Sequence, residues 1–543
     1  MLSAIYCALA GSLLALAATT TRAPAQGLPP VIPPFENPIT PAKTLLGKAL
    51  FWDEQLSSDG TVACGSCHQP RAGGADPRIG RHPGPDSMFN TPDDVLGSPG
   101  IVRSRADGTY EPALHFGLRV QVTGRVAPTN IGAAYFQALR WDGLAGETFI
   151  DPQTQQVRIM LGAALESHAA GPPVVDVEMA YAQRSWNDVA ARIAAVRPLR
   201  LATNLTPDLV AGLAGVADYG ELVRRAFGDP AVTAQRIIYA LATYQRALVP
   251  DQSPWDRFVA GNSAALTPDE QAGLALFQGA ARCAQCHTPP LFSDQSFRNL
   301  GLRPASEDIG WQLVTHDPSD RGKFKAPTLR NASLRSRFMH TGEFRTVAEV
   351  VDFYDRGGGT YTDNKDPFLR PLGLTATEKA NLVAFVTHGL LDPRVAAETT
   401  PFDRPILHAE RAAAPFGDAL AGSGNLAPRP LADAPLHRGN TSFRLGIADA
   451  LGPSTAILAL GFGRAPGQRI GNLPVNLALS PAPLTLIVPL AGSGVGAGHA
   501  TLRFPLPPDP NLIGLGLYHQ WFVADPAAPG GVAASQGTGG LVF

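Results

Sequence analysis

The hydrophobic pattern predicts two similar helices in different parts of the chain. In each, a threonine followed by proline precedes apolar residues at helical spacing, as expected for an N-cap with proline at the first helical position. The two stretches are Thr40-Pro41 followed by Gly47, Leu50 and Phe51, and Thr267-Pro268 followed by Gly273, Leu276 and Phe277. Glu270 completes a capping box in the second stretch. The repetition predicts a duplicated helical unit.

A third helix is predicted to start at Thr346, which can form a capping box with Glu349. One face of this helix carries, at helical spacing, Val347, Val350, Val351 and Tyr354. A helix with one apolar face buries that face against the rest of the protein. We therefore expect this face to point inward.

Towards the end of the chain the pattern changes to short, β-prone segments separated by Gly and Pro. The segments are 454–460, 484–490, 500–506 and 515–523. They predict an all-β, sandwich-like domain over residues 441–543. Residues 396–440, rich in Pro, Ala and Gly, are predicted to be a linker or an arm packed over the preceding domains. The β domain is interpreted as an interaction or attachment module, or as a support for the rest of the chain.

Length and charge narrow the class of protein. A chain of 543 residues that is 45% hydrophobic can form several domains. Its 44 basic and 46 acidic residues nearly cancel, which argues against nucleic acid or anionic membranes as partners. Residues 1–25 contain a short apolar run at 8–18 and end in small residues, which is typical of a signal peptide. We expect a protein exported to the periplasm, without a membrane span in the mature chain.

Four of the five cysteines form two identical motifs, whereas Cys7 lies in the predicted signal peptide. The motifs are Cys64-Gly65-Ser66-Cys67-His68 and Cys283-Ala284-Gln285-Cys286-His287. Two thiols at this spacing can add to the vinyl groups of a haem, and the next histidine can ligate its iron. A zinc site would need further clustered ligands, and a redox dithiol would not need the histidine twice. The sequence therefore predicts two covalently attached haem c groups.

Each haem motif follows one of the two duplicated helices, so each is assigned to its own mostly helical unit. The predicted N-terminal haem domain covers residues 26–250, and the predicted C-terminal haem domain covers residues 251–395. The predicted fold class is mainly α, with two cytochrome c-like haem domains followed by the all-β domain.

Several further motifs, in order along residues 35–395, resemble the di-haem cytochrome c peroxidase and MauG family. They are residues 46–51 (LGKALF), Trp141-Asp142-Gly143, Gly171-Pro172 with Glu178-Met179, residues 323–331 (KFKAPTLRN), and Met339-His340-Thr341-Gly342 followed by residues 349–354 (EVVDFY). The resemblance implies an oxidoreductase in which the haem on His68 binds peroxide. The haem on His287 would receive electrons and pass them on.

The resemblance also implies the residues of the peroxide site. Glu178 matches a distal glutamate that moves a proton between the two oxygens of peroxide. Pro172 matches a proline that helps to keep the sixth iron position free. His168 stands where the peroxidases typically have glutamine. Its imidazole could assist proton transfer, could ligate the iron and block peroxide, or could simply face solvent.

Trp141 matches a tryptophan between the two haems, where an aromatic ring shortens the electron path. A core tryptophan would fit this position equally well. The family often holds calcium between its haem domains, partly through an asparagine at the position of Val126. Valine offers no side-chain ligand, which puts calcium in doubt, although backbone carbonyls near Arg335 and Arg337 could still bind it.

Each haem iron could take a further ligand, for which the sequence offers candidates. His82, in a glycine-rich loop, is a candidate for the histidine that caps the peroxidatic haem in oxidised peroxidases. Tyr354 lies 14 residues after His340, where the peroxidases place an axial methionine and the MauG type a tyrosine. Tyr354 is therefore the predicted sixth ligand of the C-terminal haem. The alternatives are that Tyr354 is a core aromatic residue or that Met339 is the ligand.

Three functions are compatible with these residues. The leading one is reduction of hydrogen peroxide to water with electrons from a small cytochrome c or a cupredoxin. The second is a MauG-type oxidase that modifies residues of a partner protein. The third is a plain electron carrier with both irons six-coordinate, which would make Glu178 and Pro172 coincidental.

Overall fold

A computed structural model describes residues 27–432 and 434–543, so the predicted signal peptide lies outside the described residues. Within them, α-helices and shorter helical turns together account for 28% of the residues, so the predicted mainly α character is not confirmed. In chain order, α1 to α13 are Pro41–Phe51, Cys64–Cys67, Ala164–Ala169, Trp186–Ala194, Pro207–Gly212, Tyr219–Phe227, Ala234–Arg246, Pro254–Val259, Pro268–Gln278, Gln312–Thr315, Val347–Asp355, Ala376–Ala384 and Pro393–Ala396. Among the described residues, no helix has the length and apolar character needed to cross a membrane.

The first haem motif belongs to a unit in which α1 crosses α7. Thr40 caps α1 by accepting a hydrogen bond from the backbone N–H of Lys43, as predicted. A Cβ atom at Gly47 would lie only 1.9 Å from the carbonyl oxygen of Ala240 in α7. The close crossing therefore requires glycine. The core of this unit includes Leu46, Leu50, Phe51, Trp52, Tyr219, Ile237 and Tyr244.

The second haem motif belongs to a unit in which α9 crosses α12. Thr267 and Glu270 form the predicted capping box at the start of α9. A Cβ atom at Gly273 would lie 2.0 Å from the carbonyl oxygen of Asn381 in α12. The core here includes Trp255, Phe277, Phe292, Leu382, Phe385 and Leu390. The same glycine crossing at matching positions supports the predicted duplication.

The third predicted helix is α11, with the expected capping box of Thr346 and Glu349. Val347 and Val351 pack against the core of the second unit. Tyr354 lines a cavity beside the second haem motif. The apolar face of α11 therefore points inward, as predicted.

The C-terminal part forms one antiparallel sheet of six strands. In chain order, β1 to β16 are Gly80–His82, Val95–Gly97, Pro99–Val102, Val120–Val122, Phe149–Ile150, Val157–Ile159, Phe297–Arg298, Phe324–Lys325, Arg429–Leu431, Arg444–Gly461, Arg469–Ile470, Leu473–Pro474, Leu484–Arg503, Gly516–Ala524, Val532–Ala534 and Thr538–Leu541. The sheet order is β13-β10-β14-β15, with β9 also on β10 and β16 also on β14. Its core includes Leu445, Ile447, Leu458, Trp521 and Val523.

The β-rich C-terminal region is confirmed, with one correction to the predicted strands. Segment 484–490 and the first four residues of segment 500–506 belong to one continuous strand, β13, instead of two. The glycines between them take positive φ angles, +91° at Gly492 and +99° at Gly494, and lie where the register with β10 shifts. Glycine tolerates these angles, so the strand continues through bulges where the sequence suggested a turn. The four predicted segments fall in this one bonded sheet, whereas a sandwich has two, and β11 and β12 form a separate two-stranded pair.

Residues 396–440 pack on the first unit and also join the sheet. The backbone N–H groups of His408 and Ala409 donate to the Glu54 carboxylate at 2.6 and 2.8 Å. At the end of this segment, β9 pairs with β10, so the β region begins before residue 441. A small shared core also attaches the sheet to the first unit, and it consists of Val102, Tyr110, Leu118, Leu431 and Ala448.

Candidate active site

The first haem motif lines a cavity of about 600 Å³. Cys64–Cys67 is a single helical turn, which brings both thiols to the cavity wall. The Nδ1 atom of His68 lies 3.0 Å from the carbonyl oxygen of Gly74. Donation from Nδ1–H to this carbonyl leaves Nε2 free for iron, as is usual for metal-bound histidines. The two thiols, the oriented imidazole and the cavity fit a covalently attached haem.

The second haem motif lines a separate cavity of about 200 Å³. Cys283, Cys286 and His287 all reach its wall. The Nδ1 atom of His287 lies 3.1 Å from the carbonyl oxygens of both Phe292 and Pro327. Nε2 is again the nitrogen left for a metal. Pro327 belongs to the motif at residues 323–331, which explains part of that motif as a support for the histidine.

Three side chains predicted for the peroxide site line the first cavity together: His168, Pro172 and Glu178. Burial raises the pKa of Glu178 above its ordinary value of 4.5, while Arg140 acts in the opposite direction. Burial lowers the pKa of His168 to about 3, helped by His68 and Arg140. The cavity therefore holds a neutral imidazole and a carboxyl group that keeps its proton to a higher pH than an exposed glutamate would.

His168 lies close to His68, with the two ring centres 6.2 Å apart and the ring planes 82° apart. Its helix, α3, is held by the buried ion pair of Glu166 with Arg246 at 2.7 Å. His168 is therefore not a solvent-facing histidine.

Trp141 lies between the two cavities and lines both. Its indole N–H donates to the carbonyl oxygen of Val126 at 2.8 Å. The ring of His340 is 6.3 Å from that of Trp141 and stacks on Phe324 at 3.6 Å. A contiguous group of aromatic rings thus separates the two haem sites.

Tyr354 and Met339 both line the second cavity. Burial raises the pKa of the Tyr354 hydroxyl, and the thiols of Cys286 and Cys283 add to the effect. The tyrosine side chain is therefore close to the haem attachment point. Met339 has a positive φ of 63° and lies in the preceding loop.

His82 also lines the first cavity, but it does not lie in a loop. It ends strand β1, which pairs with β2. Its Nδ1 accepts a hydrogen bond of 3.2 Å from the backbone N–H of Gly84. The expected loop position was wrong, because the local glycines did not reveal the short strand pair.

An ion-pair network beside the two cavities was missed by the sequence reasoning. Arg125 contacts Asp142 at 2.5 Å and Asp308 at 2.7 Å. Arg303 pairs with Glu307, also at the cavity wall. The signal in the sequence was weak, since only Asp142 lay in a motif, next to Trp141.

Comparison with known proteins agrees with this arrangement. The sequence profile of a family described as di-haem cytochrome c peroxidase matches residues 41–264. The cytochrome-c peroxidase IdrP1 of Pseudomonas sp. (strain SCT) is 31% identical over 439 residues, covering 72% of this chain and 95% of the relative. The methylamine utilization protein MauG of Methylorubrum extorquens is 32% identical over 377 residues, covering 68% of this chain and 83% of the relative.

A solved structure is also similar. The crystal structure of a MauG-like protein associated with microbial copper homeostasis matches with a TM-score of 0.51 and 25% identity, covering 69% of this chain and 96% of that chain. The chain therefore belongs to the di-haem cytochrome c peroxidase family. It is an oxidoreductase of the cytochrome-c peroxidase type, and the family implies two c-type haems. Peroxidase and MauG relatives are almost equally similar to it, so identity alone does not separate their activities.

Proposed function

We propose that this protein reduces hydrogen peroxide to water at a haem on His68, with electrons delivered to a haem on His287 by a small redox protein. The donor would be a cytochrome c or a cupredoxin, and the reaction would take place in the periplasm. The observation that carries the proposal is Glu178, a carboxyl group in the same cavity as the first haem motif.

The haems would be held by the residues of the two motifs: Cys64, Cys67 and His68 for one, and Cys283, Cys286 and His287 for the other. When bound, haem iron supplies the position for peroxide and carries the electrons to it. Reduction of one hydrogen peroxide breaks its O–O bond, takes up two electrons and two protons, and releases two water molecules. The protein must therefore transfer protons within the first cavity and electrons between the two cavities.

Glu178 is suited to transferring protons because, unlike Asp142 and Asp308 at the same cavity wall, it forms no ion pair in the described part of the chain. The other acids at the cavity wall include Asp142 and Asp308, which are paired with Arg125. Glu178 forms no ion pair with any described residue. As a carboxylate it can take the proton from the near oxygen of peroxide, and as the acid it can return it to the far oxygen. Burial raises the pKa of Glu178, which makes its carboxylate a stronger base for the first of these steps.

His168 is placed to compete with peroxide. An imidazole nitrogen binds a metal at about 2 Å, so a second histidine could bind the iron only if its ring lay close to the haem held on His68. The rings of His168 and His68 are 6.2 Å apart. The spacing favours a role as a competitor for the sixth position over a role as a second proton carrier. Pro172, which begins a short turn after α3, would limit how far this segment can close over the site.

Trp141 is the residue through which we propose that electrons pass. It contacts both cavities, and its indole is fixed by the hydrogen bond to Val126. An aromatic ring held in one orientation between two redox centres shortens the distance that an electron must cross.

A MauG-type oxidase is the second candidate, and the position of Tyr354 favours it. A tyrosine oxygen is a harder ligand than the thioether of Met339 and favours ferric and higher oxidation states. Such a haem would help to oxidise residues of a partner protein. In this case peroxide would be consumed without a steady supply of electrons from a donor.

The stoichiometry of turnover distinguishes the peroxidase function from the MauG-type function. Hydrogen peroxide and a reduced one-electron donor are mixed with the holoenzyme, and both are followed over many turnovers. The proposal predicts two donor molecules oxidised for each peroxide consumed. Peroxide consumption without donor oxidation, accompanied by modification of a partner protein, would support the MauG-type function instead. A plain electron carrier would consume no peroxide.

A further inference from the structure

A half-buried cation, Arg335, joins the two haem units. Its Nη2 donates to the carbonyl oxygen of Ala127 at 2.9 Å, across 208 residues of sequence. Its Nε donates to the carbonyl oxygen of Arg337 at 3.3 Å. Ala127 lines the first cavity, and Arg335 lines the second. The guanidinium therefore ties a segment of the first unit to a segment of the second.

The partners of this guanidinium are backbone carbonyls. Among the described residues, Arg335 forms no ion pair with a carboxylate. Burial lowers the pKa of the guanidinium to about 10, so it stays charged at neutral pH. A full positive charge surrounded by carbonyl oxygens is also what a bound calcium ion would present, since calcium takes oxygen ligands of this kind.

The residues at this place do not fit calcium. The asparagine ligand implied by the family resemblance is replaced by Val126, whose side chain is buried and apolar. The carbonyl of Val126 accepts from Trp141, and that of Arg337 accepts from Arg335. The adjoining space is about 10 Å³, and Asp76 on its wall is committed to Arg78 at 2.9 Å. Of the buried side-chain oxygens described at this space, the Ser98 hydroxyl alone has no hydrogen-bond partner, whereas calcium needs six to eight oxygen ligands.

We propose that the Arg335 guanidinium is the permanent cation between the two haem units, in the place where calcium would otherwise sit, and that the protein does not depend on calcium. The inference does not rest on the peroxide reaction, because it concerns only the structure and charge between the haem sites. Unlike a metal ion, this cation cannot be removed by a chelator. Its charge lies beside both sites, since Arg335 lines the second cavity and its hydrogen-bond partner Ala127 lines the first.

The first test uses the wild-type holoenzyme and does not measure activity. The protein is dialysed against a chelator or against excess calcium, its metal content is measured by mass spectrometry, and its thermal unfolding and haem absorption are recorded. We expect no stoichiometric calcium and identical unfolding temperatures and spectra. About one calcium per chain, or a chelator-induced change that calcium reverses, would overturn the proposal.

The second test changes the cation itself. Arg335→Met keeps a side chain of similar length but removes the charge and both hydrogen-bond donors, so it should lower the unfolding temperature. It should also lower the reduction potentials of the haems, because loss of a nearby positive charge favours the ferric state. Arg335→Lys keeps the charge, so its potentials should stay near those of the wild type even if it unfolds earlier. Arg337→Met is the control, with the same loss of charge two residues away. Potentials that are unchanged in Arg335→Met, or lowered equally by the control, would contradict the proposal.

Discussion

Replacing Glu178 by glutamine should leave the protein intact and stop most of its turnover with peroxide. Glutamine has the same shape but cannot accept and return the proton. A general acid–base group contributes at least ~100-fold to a rate, which is about 2.7 kcal/mol. We expect the full loss, because the other carboxylates described at the cavity wall have partners of their own: Asp142 and Asp308 pair with Arg125, Glu307 pairs with Arg303, and Asp93 accepts from Thr91 and the Asp86 backbone.

The assay is steady-state oxidation of a reduced donor, with haem content and absorption spectra measured on the same samples. Asp176→Asn is a matched control, since Asp176 lies two residues away and pairs with Arg103 at 2.8 Å outside the cavity. The control should keep nearly full turnover. A Glu178→Gln protein with both haems and turnover within a few-fold of the wild type would remove Glu178 from the mechanism.

The same variant also gives a prediction for pH. The carboxylate form must be present to accept the first proton, and burial raises the pKa of Glu178 above 4.5. In the wild type, kcat/KM for peroxide should therefore fall as the pH drops through this raised pKa. The acidic limb should be absent from the residual activity of Glu178→Gln. An identical limb in both proteins would assign the titration to another group.

Three further predictions concern the haems. A pyridine haemochrome assay on periplasmically matured protein should give two covalent haems per chain, and a value near one would contradict the attachment of both. Tyr354→Phe should abolish the low-spin ferric signal of the C-terminal haem, whereas Met339→Leu should keep it; the reverse result would assign Met339 as the ligand. His168→Gln should increase the high-spin fraction of the haem on His68 and the rate at which the protein reacts with peroxide. A slower reaction with unchanged spectra would instead make His168 a proton carrier.

The features that could be predicted from the sequence are those governed by local rules. The caps at Thr40, Thr267 and Thr346 depend on residues within one helical turn. The haem motifs likewise place thiols and histidine by spacing alone. The family resemblance then indicated side chains from distant segments, such as Trp141 and Glu178, and both line the cavity of the first haem motif.

The features that were not predictable join segments far apart in the chain. The pairing of Arg125 with Asp308 spans 183 residues, and neither residue carries a local signal. The donation from Arg335 to Ala127 could not be inferred, because it depends on how the two units face each other. The continuous strand β13 was missed for a different reason: glycine at a bulge and glycine at a turn look the same in sequence.

In the proposed mechanism two haem sites with different roles act in one electron path, and an experiment on half-reduced protein tests this most directly. Holoenzyme with one haem reduced is mixed rapidly with one equivalent of hydrogen peroxide, and absorption and EPR spectra are recorded before and after mixing. We expect two spectrally distinct haems, one of which changes its spectrum on binding peroxide, with loss of the ferrous absorption as peroxide is consumed. Two six-coordinate haems whose spectra do not change with peroxide would contradict it and leave the protein as an electron carrier.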